Sequence, residues 1–320
     1  MAKNKIKIAV LYGGPSAEHE VSLKTGANAI EAIKKIKGNK YSVKEIKISK
    51  RGDWLNGKKV VAPNQALKGV DVVFNAMHGE FGEDGTVQGF LDTLKIPYTG
   101  AGQKGSMIGM DKILAKLIFL ANNIKTAPFA IARKGELMPK LGFSFPVVVK
   151  PAGRGSSVGV SIVKNKKALE SALKLAFKFD EAALLEKFIK GREITIGVLE
   201  NFKGKKYYAL PITEIRPKIS DFFDYKAKYE VGGSEEITPA PINKKLTKRA
   251  QDLAVKVFKV LESRHYSRID MIIQGENLYV LEINTLPGMT ATSLMPQQAQ
   301  KAGLNLSQLI AHLIGLALKR

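Results

Sequence analysis

The first third of the chain alternates between short apolar runs and longer stretches with apolar residues at helical spacing. In chain order these segments are residues 6–12 (IKIAVLY), 21–37, 70–77 (VDVVFNAM) and 86–95, with a further short strand near Pro97-Tyr98. Alternation of strands and helices is typical of a doubly wound parallel sheet with helices on its faces. We therefore predict an N-terminal α/β domain over residues 1–102.

The pattern changes after a glycine-rich connection at residues 99–106 (TGAGQKGS), which indicates a domain boundary. Helices are predicted at residues 107–122, 167–179, 243–262 and 306–318. The intervening strands are PFAIARK, FPVVVKPAG, GVSIVKN, ALLEKFI, REITIGVLEN, KKYYALPITEI, RIDMII and LYVLEIN. This order predicts an α+β region in two parts, residues 103–187 and 188–320.

Residues 268–284 (RIDMIIQGENLYVLEIN) predict an antiparallel hairpin that concentrates polar groups on one face. With a three-residue loop at 275–277, Asp270 lies opposite Glu282 and Arg268 lies opposite Asn284. Alternation along the strands then predicts an apolar floor on the opposite face, made of Ile269, Met271, Ile273, Tyr279, Leu281 and Ile283.

Two carboxylates placed directly opposite repel each other unless a cation lies between them or one is protonated. Asp270, Glu282 and the carbonyl oxygen of Asn284 form a set of hard oxygen ligands suited to Mg²⁺. The alternative interpretation is a solvated strand face neutralised by Arg268.

Three further segments carry candidate chemistry, each with an ordinary structural alternative. Residues 145–160 (FPVVVKPAGRGSSVGV) contain neither the GxxxxGK[ST] phosphate loop nor the dinucleotide-binding fingerprint. Lys150, Ser156 and Ser157 could still cover phosphates, and the alternative is a common Gly/Ser hairpin loop. Glu186 could face a flat polar ring such as adenine or lie on a solvated edge strand. The loops at 13–20 and 78–85 follow strands, where open α/β sheets bind ligands.

Composition narrows the functional classes. The 320 residues include no Cys, so a disulfide scaffold, a thiol nucleophile and a Cys-ligated zinc are excluded. No apolar stretch is long enough to span a membrane or to form a signal-peptide core, which predicts a cytoplasmic protein. The net charge of +22 could indicate nucleic-acid binding, but the lysines are scattered and aromatic residues make up only 8%. A basic cleft for a nucleotide triphosphate suits the charge equally well.

Nine motifs together resemble the D-alanine–D-alanine ligase family of the ATP-grasp superfamily, over residues 7 to about 309. In the family's order they are LYGGPSAEHEVS, HGEFGEDGTVQGFL, IPYTGAG, MDK, VVVKPAGRGSSVGV, LLEKFIKGREITIGV, DYKAKY, RIDMII and LEINTLPGMTATSL. The resemblance implies a Rossmann-like N-terminal domain and two ATP-grasp subdomains with ATP between them. It also implies ligation of two D-alanine molecules through an acylphosphate, for peptidoglycan precursor synthesis.

The resemblance also implies roles for particular residues. Contacts to ATP are implied for Lys112, Lys150, Glu186, Ile189, Glu193 and Lys228, and contacts to magnesium, with Mn²⁺ as an alternative, for Asp270, Glu282 and Asn284. Catalytic roles are implied for Glu18, Ser156, Tyr229, Arg268 and the backbone N–H of Gly288, and substrate contacts for Glu18, His78, Ser293 and Leu294. A homodimer without a specific nucleic-acid or membrane partner is expected.

Three positions depart from the family's usual pattern. Arg154 stands where many members carry Glu or Gln, and Thr292 stands where many carry His. Phe188 replaces a commoner Trp. The intact DYKAKY segment predicts a dipeptide product rather than a depsipeptide. The alternatives are a related carboxylate–amine ligase that uses another D-amino or D-hydroxy acid and, more distantly, a basic nucleic-acid-binding protein.

Overall fold

The computed structural model describes residues 5–38, 40–218 and 233–319. The first sheet has the strand order β4-β3-β2-β1-β5, and β1 pairs in parallel with both β2 and β5. Its strands are β1 (Ile6–Gly13), β2 (Tyr41–Ile48), β3 (Trp54–Asn56), β4 (Lys59–Val60) and β5 (Val72–Asn75). The predicted strand near Tyr98 is a single parallel bridge to Val73. The centre of the sheet is therefore parallel, as predicted. The sequence analysis missed β2, which supplies one of the two parallel pairings, and also β3 and β4, which add an antiparallel edge.

Helices cover this sheet because their apolar residues bury against its aliphatic strands. They are α1 (His19–Lys34), the short α2 (Pro63–Ala66) and α3 (Thr86–Thr93). Ile30 and Ile33 of α1 pack with Ile8 and Val10 in one core, and Leu91 of α3 packs in another core beneath the same sheet.

The single helix predicted at 107–122 is wrong, because two helices meet at Asp111. They are α4 (Gln103–Met110) and α5 (Lys112–Ala121). Asp111 has an extended ψ of 99°, and its carboxylate accepts the N–H groups of Ile113 and Leu114 as an N-cap. The backbone N–H of Lys112 donates to the carbonyl of Ala152 at 3.0 Å, which fixes the start of α5 against the next sheet.

The second sheet is antiparallel, with the order β6-β9-β7-β8. Its strands are β6 (Phe129–Arg133), β7 (Val147–Pro151), β8 (Ser161–Val163) and β9 (Ala182–Lys187). Helix α6 (Lys166–Ala176) packs on it through Leu169 and Leu173, which share a core with Val147 and Val149.

The third sheet is also antiparallel, with the order β13-β12-β10-β14-β15 and β11 paired to β10. Its strands are β10 (Arg192–Phe202), β11 (Lys205–Ala209), β12 (Thr213–Pro217), β13 (Ser234–Ile237), β14 (Tyr266–Gln274) and β15 (Asn277–Asn284). Helix α7 (Lys244–Val260) closes one face, where Val257 and Phe258 pack with Ile196 and Ile269.

Two helices complete the chain, and the first of them was not predicted. They are α8 (Leu294–Lys301) and α9 (Leu306–Ala317). Helix α9 returns to the first sheet, where Leu309 and Leu313 join the core of Ile8 and Val10. The proposed domain limits at residues 102 and 187 stay a prediction.

None of the helices in the described ranges combines the length and the apolar character needed to cross a bilayer.

Candidate active site

The hairpin of β14 and β15 places the polar side chains in the predicted register. Asp270 lies opposite Glu282, and Arg268 lies opposite Asn284. The turn is shorter than predicted, because Gln274 pairs with Asn277 and leaves two residues between the strands. A β-bulge restores the register: Met271 pairs with Val280 but Asp270 pairs with Glu282, so Leu281 is the additional residue.

The bulge also corrects the predicted apolar floor. Leu278 and Val280 are buried beside Met271 and Ile273, whereas Tyr279 and Leu281 are only half-buried. One extra residue reverses which side chains face the core, so the alternation predicted without a bulge fails on the outer part of β15.

The two carboxylates differ in how firmly they are held. The guanidinium of Arg268 donates to both oxygens of Asp270, each at 3.0 Å, and the hydroxyl of Thr195 also donates to this carboxylate. Glu282 faces the Lys112 ammonium at 3.4 Å, and the side-chain oxygen of Asn284 accepts the N–H of Leu286 at 3.1 Å. Arg268 does neutralise Asp270, which is only 6% exposed, whereas the Glu282 side chain on the same face is 32% exposed.

The donor set fits magnesium by its chemistry, because two carboxylates and an amide oxygen are hard ligands. Over the ranges that the structure describes, no group of three or more His, Cys, Asp or Glu side chains is arranged to hold a metal ion. The predicted set contains only two such side chains, because its third member is Asn284.

Two cavities meet at the hairpin, and every predicted site residue within the described ranges lines at least one of them. The first cavity is lined by Glu18, His78, Arg268, Asn284, Gly288, Ser293 and Leu294. The second cavity is lined by Lys150, Glu186, Ile189, Glu193 and Asp270. Lys112, Ser156 and Glu282 line both. The predicted residues Lys228 and Tyr229 lie outside the described residues.

The second cavity contains a buried cluster of charges. The Lys150 ammonium lies 2.6 Å from the carboxylate of Glu186, which is 3% exposed, so the edge-strand alternative for Glu186 is wrong. Burial alone raises the pKa of this carboxyl, but the ammonium groups of Lys116 and Lys150 outweigh it and hold the pKa below its usual range. Glu186 is therefore ionised at neutral pH.

The first cavity is closed on one side by a contact between distant segments. The Ser156 hydroxyl, in the glycine-rich loop, donates to the carboxylate of Glu18 in the loop after β1. A Cβ at Gly155 would lie 2.9 Å from the same carboxylate, so a side chain there would shift Glu18. His78 lies behind this contact, with its Nε2 2.9 Å from the hydroxyl of Thr25, and burial lowers its pKa.

The opposite wall of the first cavity is the start of α8. Ser293 is the N-cap residue of this helix, and its Oγ accepts the N–H of Thr290 at 3.1 Å. A Cβ at Gly288 would lie 2.9 Å from that Oγ, so the segment packs closely. A helix N-terminus presents free N–H groups that bind carboxylates.

The residues that depart from the family pattern have partners of their own. Arg154 forms an ion pair with Glu80 of the loop after β5, and its Nε donates to the carbonyl of Phe179 at 2.8 Å. The Lys112 ammonium donates to the carbonyl of Arg154 at 2.7 Å. Arg154 therefore joins the glycine-rich loop to the N-terminal segment by charge. Thr292 contributes a carbonyl that accepts the Gln297 amide at 2.8 Å.

Sequence reasoning missed Glu83, which lies half-buried between two parts of the chain. One carboxylate oxygen accepts the N–H groups of Thr285 and Leu286, each at 3.2 Å, and the other accepts the N–H of Gly79 at 3.3 Å. Burial, together with the nearby carboxylate of Glu18, raises its pKa from the usual 4.5 to about 7. The acid-rich loop HGEFGEDG was the available signal, but the pattern does not show which of its acids turns inward.

Replacing Glu83 by glutamine is expected to change how stability depends on pH. Because the native state holds the proton more tightly than the unfolded chain, the wild type loses stability as pH rises from 4.5 to about 7. The loss amounts to about 3 kcal/mol. We therefore expect the free energy of unfolding of Glu83→Gln, measured with denaturant and compared with that of the wild type, to be higher at pH 8 than at pH 5. Glu136→Gln, an exposed position, is the matched control, and equal pH dependence of wild type and Glu83→Gln would contradict the assignment.

Comparison with known proteins identifies the class of fold. A computed superposition on a D-alanine–D-alanine ligase from Bacillus anthracis complexed with ATP has a TM-score of 0.82, at 35% identity and 98% coverage of both chains. The VanG D-Ala:D-Ser ligase from Enterococcus faecalis gives 0.83 at 30% identity, covering 98% of this chain and 100% of that one. The predicted fold is thereby confirmed: a doubly wound α/β region followed by the two antiparallel sheets of the ATP-grasp class.

The sequence comparisons then specify the family. The family model for the N-terminus of D-ala D-ala ligase matches residues 7–68 and 59–101, and the C-terminal model matches residues 118–315. A D-alanine–D-alanine ligase from Syntrophobacter fumaroxidans is 42% identical over the full length of both chains. The chain belongs to the D-alanine–D-alanine ligase family.

Proposed function

We propose that the protein joins two D-alanine molecules to D-alanyl-D-alanine and converts ATP to ADP and phosphate, for peptidoglycan precursor synthesis. The observation that carries the proposal is the wall shared by the two cavities, which is formed by Gly155 and the side chains of Lys112, Ser156 and Glu282. A nucleotide in the second cavity directs its terminal phosphate towards this wall. A carboxylate bound in the first cavity then meets that phosphate.

In the first step, a carboxylate oxygen of one D-alanine attacks the γ-phosphorus of ATP, and the bond to ADP breaks to leave an acylphosphate. Lys112 and Lys150 line the path of the transferred group and offset its negative charge. Asp270, Glu282 and Asn284 would hold Mg²⁺, or Mn²⁺, which when bound supplies positive charge to the phosphates. Lys228 is assigned the same role as the other two lysines by family resemblance.

In the second step, the amine of the other D-alanine attacks the acyl carbon, and phosphate leaves. Arg268 and the N–H of Gly288 lie in the first cavity, where they stabilise the oxyanion of the tetrahedral intermediate. Ser293 and Leu294 offer the N-terminus of α8 to the carboxylate of the second substrate. Glu18 holds the ammonium of the first substrate, with His78 behind it.

The contact between Glu18 and Ser156 closes the site, and we assign Tyr229 to the same group. Closure matters because water would hydrolyse an acylphosphate. The ion pair of Arg154 with Glu80 supports the same closure from the outer side of the loop.

A second candidate is the ligation of D-alanine to D-serine, because the chain is also similar to a D-Ala:D-Ser ligase at 30% identity over its full length. The intact DYKAKY segment favours a dipeptide over a depsipeptide. This segment lies outside the described residues, so its effect on specificity stays a prediction.

The test is identification of the product by mass spectrometry. The protein is incubated with ATP, Mg²⁺ and D-alanine, D-serine, D-lactate or L-alanine, singly and in pairs with D-alanine. D-alanyl-D-alanine is expected as the main product, with stoichiometric phosphate release and no product from L-alanine. A main product containing D-serine or D-lactate would replace the proposal by that specificity, and phosphate release without any ligated product would refute it.

We further propose that the enzyme is a cytoplasmic homodimer without a specific nucleic-acid or membrane partner, as the family resemblance supports. Binding to DNA that is weak and falls steeply with salt is the expected consequence of the +22 charge.

A further inference from the structure

Helix α5 carries two lysines one turn apart on the same face. Lys112 lines both cavities, whereas Lys116 is buried behind the second cavity with 1% exposure. A fully buried lysine is costly unless its charge is matched. The contacts of Lys116 therefore indicate why the chain keeps a cation at this position.

Lys116 does not line the second cavity, although its partner Glu186 does. Its ammonium forms an ion pair with one carboxylate oxygen of Glu186 and donates to the Thr126 hydroxyl at 2.5 Å. Thr126 in turn donates to the carbonyl of Val280 in β15 at 2.7 Å. Through these contacts, Lys116 links helix α5 to the hairpin that carries Asp270 and Glu282.

Glu186 lies between two ammonium groups. Lys116 contacts one carboxylate oxygen from behind, and Lys150 contacts the other oxygen at 2.6 Å from the side of the cavity. With both lysines charged, the three side chains carry one net positive charge, and Lys150 presents it to the cavity. With Lys150 as its only partner, Glu186 would cancel that charge.

We propose that Lys116 is a positioning residue for the triphosphate of ATP: it compensates Glu186 from behind, so that the charge of Lys150 is directed to the phosphates. The inference rests on the proposed function, since it takes ATP as the ligand. It differs from a role in shaping the adenine pocket, because a charge directed to the phosphates by Lys150 acts mainly on ligands that carry phosphates.

The experiment compares ATP with adenosine as ligands of Lys116→Met. Binding of each is measured by calorimetry, or by competition where binding is weak, in the presence of Mg²⁺. We expect the Kd for ATP to rise at least about tenfold, while the Kd for adenosine changes less than about threefold. The matched control is Lys174→Met, which removes an exposed lysine paired with Glu170 on α6 and should leave both constants unchanged.

A double variant keeps the test decisive if Lys116→Met folds poorly, as loss of a buried partner allows. Lys116→Met with Glu186→Gln removes both charges of the pair and leaves Lys150 cationic. The ratio of the adenosine and ATP dissociation constants should then return to the wild-type value. Circular dichroism and thermal melting establish that each variant is folded.

Three results would overturn the proposal. Equal weakening of ATP and adenosine assigns Lys116 to the base pocket. Unchanged ATP binding in a folded Lys116→Met would show that a charge on Lys116 does not contribute to ATP binding. This outcome is physically reasonable because burial lowers the pKa of Lys116. Weak ATP binding that persists in the double variant would show that Lys116 does not act through Glu186. A wild-type protein that does not bind ATP would instead refute the proposed function.

Discussion

Replacement of Glu282 by glutamine is expected to lower kcat for D-alanine-dependent phosphate release at least about 100-fold. The substitution keeps the shape of the side chain but removes the charge that faces Lys112 at 3.4 Å and that would bind magnesium. The side chain is 32% exposed, so the melting temperature should change little. Steady-state kinetics with saturating ATP and D-alanine provide the measurement.

The hairpin itself offers the matched control for this variant. Glu276 lies in the turn between the same two strands, is 72% exposed and pairs with Arg249 at the surface, at 3.3 Å. Glu276→Gln should therefore retain wild-type activity, because exposed ion pairs contribute little. Full activity in Glu282→Gln would remove Glu282 from the metal site and, with it, the main argument for magnesium at this hairpin.

Replacement of Arg268 by lysine is expected to be nearly as damaging, with a fall in kcat of about 10²–10³ and a smaller change in the KM for ATP. Lysine keeps the positive charge but cannot reproduce the fork that donates to both oxygens of Asp270 at 3.0 Å. The charge is then no longer directed at the oxyanion of the tetrahedral intermediate. Measuring kcat and both KM values separates this effect from a loss of substrate binding.

Magnesium titration distinguishes the two ways in which Arg268 could act. If Arg268 stabilises the oxyanion, excess magnesium should leave the low kcat of Arg268→Lys unchanged. Recovery of kcat at high magnesium would show instead that the arginine only orients Asp270 as a metal ligand. Arg249→Lys, at the exposed partner of Glu276, is the control and should behave as wild type.

The polar face of the hairpin could be predicted because strand alternation is a local property of the chain. Asp270, Glu282, Arg268 and Asn284 occupy the predicted register. The details of the turn could not be predicted in the same way: the two-residue turn and the bulge at Leu281 compensate each other, and either alone would misalign the carboxylates. Packing of Leu278 and Val280 in the core selects the combination.

The helix boundaries also could not be predicted from local sequence alone. Residues 107–122 have continuous helical spacing, yet Asp111 ends one helix and caps the next. The cause is distant in sequence, since Lys112 is anchored by the carbonyl of Ala152 and by the loop at Arg154. A pattern within one segment contains no information about such a partner.

The sequence by itself determined the order of the motifs and the family, and it predicted the set of side chains that carry the chemistry, because residue types and their spacing encode these directly. Only the tertiary structure decided that two cavities share the wall of Lys112, Ser156 and Glu282. It also placed Glu83 in the lining of the first cavity and Lys116 behind the second. Both are ionisable groups whose function depends on burial and on partners far along the chain, and burial is a property of the folded whole.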